Sequence, residues 1–219
     1  MVVVSQFMLT FGSDPNAKVT KKSKSPLSFH PIALIFGLLS FVSYLVEGAV
    51  GDWSALYLFE DKGIVIEEAV MGVMLFNGTM CIGRLLGNRL GKHLTSKQVV
   101  VGGYLLGSIA MGLIVFLPGH ASMYTYLLLG ISLAMIVPNL FSAMGEQNVI
   151  PMTQAVATST MLGYMGILMG PALIGFIAHG TSLTVAFIVL TILLVVSAGI
   201  GKYAYHLMSK DCGLSEEQI

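Results

Sequence analysis

The chain carries six apolar stretches that each reach or exceed the about 20 residues a helix needs to cross a bilayer. The segments between them are short and carry Gly, Pro and polar residues, which makes consecutive helices antiparallel neighbours. The sequence therefore predicts an all-α, polytopic membrane protein with six transmembrane helices. We place the spans at residues 31–58, 65–90, 98–117, 122–144, 153–178 and 182–206.

The composition agrees with a membrane location. Of the 219 residues 55% are hydrophobic and 10% are charged, whereas soluble domains are about 25% charged. The net charge is zero, so no overall field favours nucleic acid. Cys81 lies inside an apolar stretch and Cys212 in the tail, so we expect no disulfide. The 14 methionines are spread through the spans, where we expect them to fill gaps in packing.

The polar ends and the basic residues define domains and orientation. We divide the chain into a cytoplasmic segment at 1–28, a six-helix bundle at 29–206 and a cytoplasmic tail at 207–219. The first segment combines a short apolar start with a basic loop. If the spans alternate, most basic residues share one side, which predicts cytoplasmic termini in the inner membrane of a cell. These residues are Lys18, Lys21, Lys22, Lys24, Arg89, Lys92, Lys97, Lys202 and Lys210; Lys62 falls on the other side.

An acidic residue inside the first span is the strongest sign of function. Glu47 interrupts an apolar helix, and a charge there costs at least about 2.5 kcal/mol unless it faces protein or water. Glu47 either faces a polar path between helices or makes a structural pair with Arg84 or Asn139. It also lies on a predicted polar face, since the spacing of five residues places them on one side of a helix. These are Ser40, Tyr44, Glu47, Gly51 and Ser54.

The outer end of the first span carries a second acid and two aromatic residues. Asp52 is expected near the outer interface, where a solvated carboxylate costs little. Trp53 and Tyr57 are amphipathic aromatics of the kind that collect at membrane interfaces. We therefore predict an outer rim formed by Asp52, Trp53 and Tyr57.

Polar residues in the other spans are candidates for the same path. Asn77 and Arg84 are seven residues apart in the second span and share a helix face. Arg84 either snorkels to the headgroups or pairs with a carboxylate such as Glu146. Asn139 follows Pro138, which should break or bend the fourth span.

The fifth span combines a glycine face with an aromatic candidate. Its glycines at 166, 170 and 175 form a flat face around Pro171, which suits a helix that packs closely and bends. Tyr164 is either a solute contact or a core aromatic. The path candidates are thus Glu47, Tyr44, Asn77, Asn139 and Tyr164.

No arrangement of nucleophile and base, metal-ligand cluster or phosphate-binding loop is visible in the sequence. We therefore predict no enzyme, no catalytic residues, no metal site and no cofactor.

Three strings resemble the C-terminal half of a major facilitator superfamily transporter. The string EGAVGDWSALYL at 47–58 resembles the seventh helix of bacterial members near the fucose–proton symporter branch. The string NRLGK at 88–92 resembles the cytoplasmic turn after the family's second and eighth helices, with Asn88 where Asp is usual. The pattern at 166–175 resembles the glycine-proline pattern of the fifth and eleventh helices.

The resemblance implies a function and a partner. The family has two six-helix halves with the substrate between them, so one half offers one wall of the site. It implies alternating access coupled to protons, a small-molecule substrate, and a second six-helix half or another copy as partner. The implied cytoplasmic gate comprises Arg84, Asn88, Arg89, Gly91 and Lys92. The alternative is a truncated or regulatory membrane module without transport activity.

Overall fold

The computed structural model describes residues 27, 30–90, 94–147 and 149–212, with the side chains of 88–90, 211 and 212 left out. Within these residues the chain forms seven α-helices and no strands. They are α1 (Pro31–Glu60), α2 (Ile66–Leu90), α3 (Ser96–Phe116), α4 (Gly119–Ala134), α5 (Ile136–Glu146), α6 (Met152–Gly180) and α7 (Leu183–Cys212). The predicted segment 1–28 and tail 207–219 lie largely outside the described residues.

Six of the described segments are helical, long and apolar enough to cross a membrane, with α4 and α5 together forming the fourth. The prediction of an all-α polytopic membrane protein is therefore confirmed. Local signals set the helix starts. Pro31 stands at the first position of α1 after His30, whose Nδ1 accepts from the Ile32 amide at 3.4 Å. Thr95 and Gln98 form a reciprocal capping box at the start of α3.

The helices associate mainly in three pairs. α1 packs most extensively on α6, α2 on α4, and α3 on α7. α1 also touches α2, α4, α5 and α7, and it is the most deeply buried span. α2 and α6 share no contact within the described residues, so α1 separates them.

Glycines bring α1 and α6 into backbone contact along their length. A Cβ at Gly170 would lie 2.5 Å from the Leu45 carbonyl oxygen, and one at Gly166 would collide with the Phe41 carbonyl. The reverse holds at Gly48, where a Cβ would lie 2.9 Å from the Ile167 carbonyl oxygen. Pro171 has no N–H to offer that carbonyl, so the close approach of Gly48 places a Cα–H donor near it instead. The predicted flat glycine face of the fifth span is confirmed.

The α2–α4 pair uses glycines in the same way. A Cβ at Gly83 would lie 2.6 Å from the Ala134 Cβ, and one at Gly72 would lie 2.5 Å from a Leu58 methyl of α1. On α4, a Cβ at Gly130 would collide with Thr79 and the Phe76 carbonyl. Because small residues let membrane helices approach closely, the first two pairs are each tightly joined.

The fourth span breaks at Met135, as Pro138 predicted. Met135 ends α4 and precedes α5, with φ −99° and ψ −10°. Both the backbone N–H and the side-chain Nδ2 of Asn139 donate to the Met135 carbonyl, at 3.2 and 2.8 Å. The Met135 carbonyl thus accepts two donors from Asn139, whereas Pro138 has no N–H to offer the Ala134 carbonyl one turn earlier.

The loop between α1 and α2 is anchored to the end of α3. Lys62 Nζ donates to the carbonyl oxygens of Val115 and Leu117, at 2.6 and 2.9 Å. Burial lowers the pKa of the Lys62 amine, and the neighbouring Asp61 carboxylate partly opposes that shift. A cation near the last carbonyls of a helix also complements the helix dipole.

Candidate functional site: an ion pair on the open face of the bundle

An ion pair joins the first two spans. Arg84 Nη2 on α2 donates to Glu47 Oε2 on α1 at 3.0 Å. The Glu47 side chain is 22% exposed and the Arg84 side chain 43% exposed. Of the interpretations left open by the sequence, the structure shows the pairing of Glu47 with Arg84; Arg84 does not pair with Glu146.

The pair lies well inside the spans. Glu47 is near the middle of α1, and helical side chains lean toward the helix N-terminus, so Arg84 extends toward the middle of α2. Snorkelling to the nearer end of α2 would need the opposite direction. Because acyl chains cannot solvate a charge, a partly exposed ion pair at this position requires water or protein against it.

Two tyrosines lie beside the ion pair. The rings of Tyr44 on α1 and Tyr164 on α6 are parallel within 4°, with centroids 6.3 Å apart. Tyr44 is half-buried and one turn from Glu47, whereas Tyr164 is 59% exposed. Tyr164 is thus a surface aromatic rather than a core one. The structure brings together Tyr44, Glu47, Arg84 and Tyr164, which combine two opposite charges with two phenol groups.

The side chains of Asn77 and Asn139 each donate a hydrogen bond to a backbone carbonyl four residues earlier in the chain. Asn77 is exposed on the Arg84 side of α2, and its Nδ2 donates to the Val73 carbonyl at 3.0 Å. Asn139 is half-buried and donates to Met135 at the helix break. Asn77 therefore shares the face of the ion pair, but Asn139 is engaged at the break.

The predicted outer rim divides into three environments. Asp52 is exposed. Trp53 is half-buried, and its Nε1 donates to the Pro171 carbonyl of α6 at 2.9 Å. Tyr57 is fully buried within the bundle, stacked on Phe187 of α7 with centroids 4.2 Å apart, so its ring is not part of the exposed surface. The helix rotation set by packing turns Tyr57 inward.

The predicted polar face of α1 is polar and open only in its middle. Ser40 and Ser54 are fully buried, and Ser40 Oγ lies 3.4 Å from Ser159 Oγ of α6. The two ends of this polar and small-residue face are therefore covered by neighbouring helices, and its middle is more open.

Most of the predicted gate cannot be placed. Asn88 and Arg89 lie in the last turn of α2, but their side chains fall outside the described residues, as do Gly91 and Lys92. Arg84, the gate candidate that is described, belongs to the ion pair instead. No group of three or more His, Cys, Asp or Glu residues able to hold a metal occurs in the described part of the chain.

Two cavities lie away from the ion pair. One of about 440 Å³ lies where α1 and α6 end, lined by Trp53, Glu60, Asp61 and His179 among others. The other, about 510 Å³, is an apolar groove between α2 and α4. Glu47 and Arg84 line neither of these two cavities.

Sequence reasoning missed a second surface feature. Methionines 71, 74, 152, 161, 165 and 169 are exposed, on α2 and α6 only among the described helices. The expectation that methionines fill packing gaps is thus wrong for these six. The spacing 161, 165, 169 could have signalled a common helix face.

Comparisons with known proteins relate the chain to transporters. It is 41% identical over 168 residues to an uncharacterized MFS-type transporter of Yersinia pestis, covering 75% of this chain and 43% of the relative. It is 31% identical over 151 residues to the membrane protein MosC of Rhizobium meliloti, covering 68% and 37% respectively. An uncharacterized transporter of Sinorhizobium fredii is 28% identical over 159 residues, covering 71% and 41%.

No protein-family profile matches the chain. The chain spans less than half the length of the curated relatives it matches. These homologies and the six apolar helices identify a multi-pass membrane protein related to MFS-type transporters.

Proposed function

We propose that this chain forms one wall of the solute path in a proton-coupled secondary transporter of the major facilitator type. The observation that carries the proposal is the partly exposed Glu47–Arg84 ion pair, with Glu47 near the middle of its span and Arg84 about one turn before the end of its own. An ion pair that faced lipid would carry a large desolvation free energy, because acyl chains do not solvate charges. An ion pair that faces a water-filled path between two bundles is solvated.

The opposite wall is supplied by a second six-helix half or by another copy of the chain. The relatives are more than twice as long as the stretch this chain matches, which supports a complementary half. In this arrangement the solute binds near Tyr44 and Tyr164. Two phenols and a balanced ion pair suit a small, neutral, hydroxylated solute, since they offer hydrogen bonds without net charge.

Proton coupling follows from the ion pair. Arg84 Nη2 donates to Glu47 Oε2, so a proton that binds this oxygen takes the place of Arg84. Loss of this contact would release Arg84 and loosen α2 from α1.

We further propose that the protein lies in the inner membrane of the cell with both termini in the cytoplasm, because basic residues outside the spans favour that side. The exposed Asp52 and the half-buried Trp53 then lie toward the outer surface, and Asn88, Arg89, Gly91 and Lys92 toward the cytoplasm.

Solute uptake into membrane vesicles tests the proposal. Vesicles from cells that produce the chain are compared with vesicles from cells that lack it, using radiolabelled neutral hydroxylated solutes with and without an imposed pH gradient. We expect gradient-dependent uptake that Glu47→Gln abolishes and the exposed-acid control Glu67→Gln preserves. Unchanged pH dependence in Glu47→Gln would remove Glu47 from proton coupling. No uptake of any solute by well-folded protein would favour a module without transport activity.

A further inference from the structure

Three buried hydroxyl groups come together where α1 meets α4. Ser54 and Tyr57 lie about one turn apart on α1, and Tyr126 lies on α4. All three side chains are fully buried, and their hydroxyl oxygens have no hydrogen-bond partner among the described residues. Tyr205, whose hydroxyl is in the same condition, packs on Phe36 at the other end of α1. Ser54, Tyr57 and Tyr126 thus form a hydroxyl cluster inside the bundle.

Tyr126 faces both α1 members of the hydroxyl cluster. It lies close enough to interact with Ser54 and with Tyr57, but without the geometry of a direct hydrogen bond. Its ring also reaches the α1–α2 contact, since a Cβ at Gly72 would lie 3.6 Å from Tyr126 Cδ2 and 2.5 Å from a Leu58 methyl. The cluster therefore lies where the α1–α6 pair meets the α2–α4 pair.

Other buried hydroxyl groups of the chain have protein partners. Ser122 and Ser132 each donate to a backbone carbonyl at 2.7 Å. Tyr104 donates to the Leu39 carbonyl at 2.7 Å, and its hydroxyl lies 2.8 Å from Ser43 Oγ. Because a buried polar group without a partner raises the free energy of the folded state, the hydroxyl cluster calls for a ligand from outside the protein.

The chemistry of the hydroxyl cluster fits water. Each hydroxyl can donate and accept, so the three together meet the two to four polar partners that a buried water needs. A cation is disfavoured, because the Lys62 amine lies 5.3 Å from the centroid of the Tyr57 ring. Thr184, which interacts with Tyr57, donates to the exposed Asp61 at 2.8 Å and so links the cluster to the surface of the bundle.

We propose that Ser54, Tyr57 and Tyr126 bind buried water at the junction between the α1–α6 pair and the α2–α4 pair. The site lies about two turns from Glu47 along α1, so this junction holds bound water as well as the ion pair. Water joins the two pairs through hydrogen bonds, whereas glycines join the helices within each pair through close packing. This inference concerns the bundle itself and does not depend on transport.

Radiolytic hydroxyl-radical labelling in membranes, read by mass spectrometry, tests for the water. X-ray pulses generate radicals from water in place, so a fully buried ring is modified where water touches it. We expect Tyr57 and Tyr126 to be modified several-fold faster than Tyr104, which is equally buried but hydrogen-bonded to protein. Modification of Tyr57 and Tyr126 no faster than that of Tyr104 would overturn the proposal.

A phenylalanine substitution tests whether the hydroxyl is bound. Tyr126→Phe keeps the ring and removes one partner of the water, so we expect the midpoint of thermal unfolding to fall by about 2–4 °C. Tyr124→Phe, at an exposed position of the same helix, is the control and should leave the midpoint unchanged. A raised or unchanged midpoint in Tyr126→Phe would overturn the proposal, since removing a hydroxyl without a partner stabilises the fold. A lowered midpoint without labelling of the unmodified protein would also overturn it, because the hydroxyls would then bond directly to one another.

Discussion

The contact of α1 with α6 and its contact with α2 differ in what holds them together. Toward α6, glycines bring the two backbones together, and the Tyr44–Tyr164 stack and the Trp53 hydrogen bond add side-chain contacts. Toward α2, packing is less extensive, and the charged Glu47 and Arg84 side chains meet across the junction. One side of α1 is joined mainly by backbone contact, whereas the other combines the close Gly72–Leu58 contact with an ion pair.

This difference divides the bundle into helix pairs that are held rigidly together and a junction between them that is held less tightly. Backbone contact through glycine leaves no room for displacement, so α1 and α6 move together, and the glycine contacts of α2 with α4 join that pair likewise. The junction between the two pairs contains the partly exposed Glu47–Arg84 ion pair. A change at Glu47 is therefore expected to move one pair against the other.

The largest expected effect comes from filling the glycine contact. Gly170→Ala adds a methyl group 2.5 Å from the Leu45 carbonyl oxygen, where neither backbone can yield without shifting the helices. We expect it to lower the free energy of unfolding by about 3 kcal/mol, measured by thermal unfolding in detergent. Gly199→Ala, with nothing within 4 Å, is the control and should stabilise by about 0.5–1 kcal/mol. Equal effects would show that the α1–α6 contact is not tight.

Breaking the Glu47–Arg84 ion pair should lower the free energy of unfolding by less than Gly170→Ala does. Arg84→Gln leaves the Glu47 carboxylate unpaired, and because both side chains are partly exposed we expect a loss of about 1–2 kcal/mol. The double variant Glu47→Gln with Arg84→Gln should recover part of that loss, since no lone charge remains. Additive losses in this double-mutant cycle, measured by the same unfolding assay, would mean that the two side chains do not interact.

A smaller effect tests the side-chain part of the α1–α6 contact. Trp53→Phe keeps a ring beside Gly175 but removes the donor to the Pro171 carbonyl. We expect a loss of about 1 kcal/mol in unfolding free energy, the usual contribution of one hydrogen bond. Tyr124→Phe, at an exposed position of α4, is the control. A loss as large as that of Gly170→Ala would mean that this hydrogen bond, rather than the close backbone packing, contributes most to the stability of the α1–α6 contact.

The smallest effect concerns the loop that joins α1 to α2. Lys62→Met removes two hydrogen bonds to the end of α3 but also the desolvation cost of the charged amine, so we expect a net loss of only about 0.5 kcal/mol at neutral pH. Since the folded-state pKa of Lys62 is lowered, the unfolded chain binds more protons between that pKa and about 10.5, and stability from this group rises with pH there. When the free energy of unfolding is measured against pH, Lys62→Met should no longer show this rise. If the variant still shows it, the rise comes from another group.

The sequence predicted the helices and the acid inside the first span, but not how each helix is rotated relative to its neighbours. Apolar length predicts six spans, and a carboxylate inside one of them singles out Glu47, because both follow from the chemistry of single segments. The partner of Glu47 stayed open, because Arg84 and Asn139 are distant in sequence and only packing selects one. The burial of Tyr57 was missed for the same reason.

The exposed methionines show the limit most clearly. Composition says how many methionines a span has, but not which side of the span a neighbouring helix covers. Met80 and Met74 both lie on α2, one buried and one exposed, and the difference is set by α2's contact with α4.

The break at Met135 lets one membrane crossing belong to two groups of helices. The half before it, α4, lies against α2 and α3, whereas the half after it, α5, touches α1, α3 and α6 but not α2 within the described residues. A tilt of α2 therefore acts directly on α4, and α3, which contacts both halves, limits how far α4 can follow. The second half keeps its contacts with α1 and α6 while the first responds to α2.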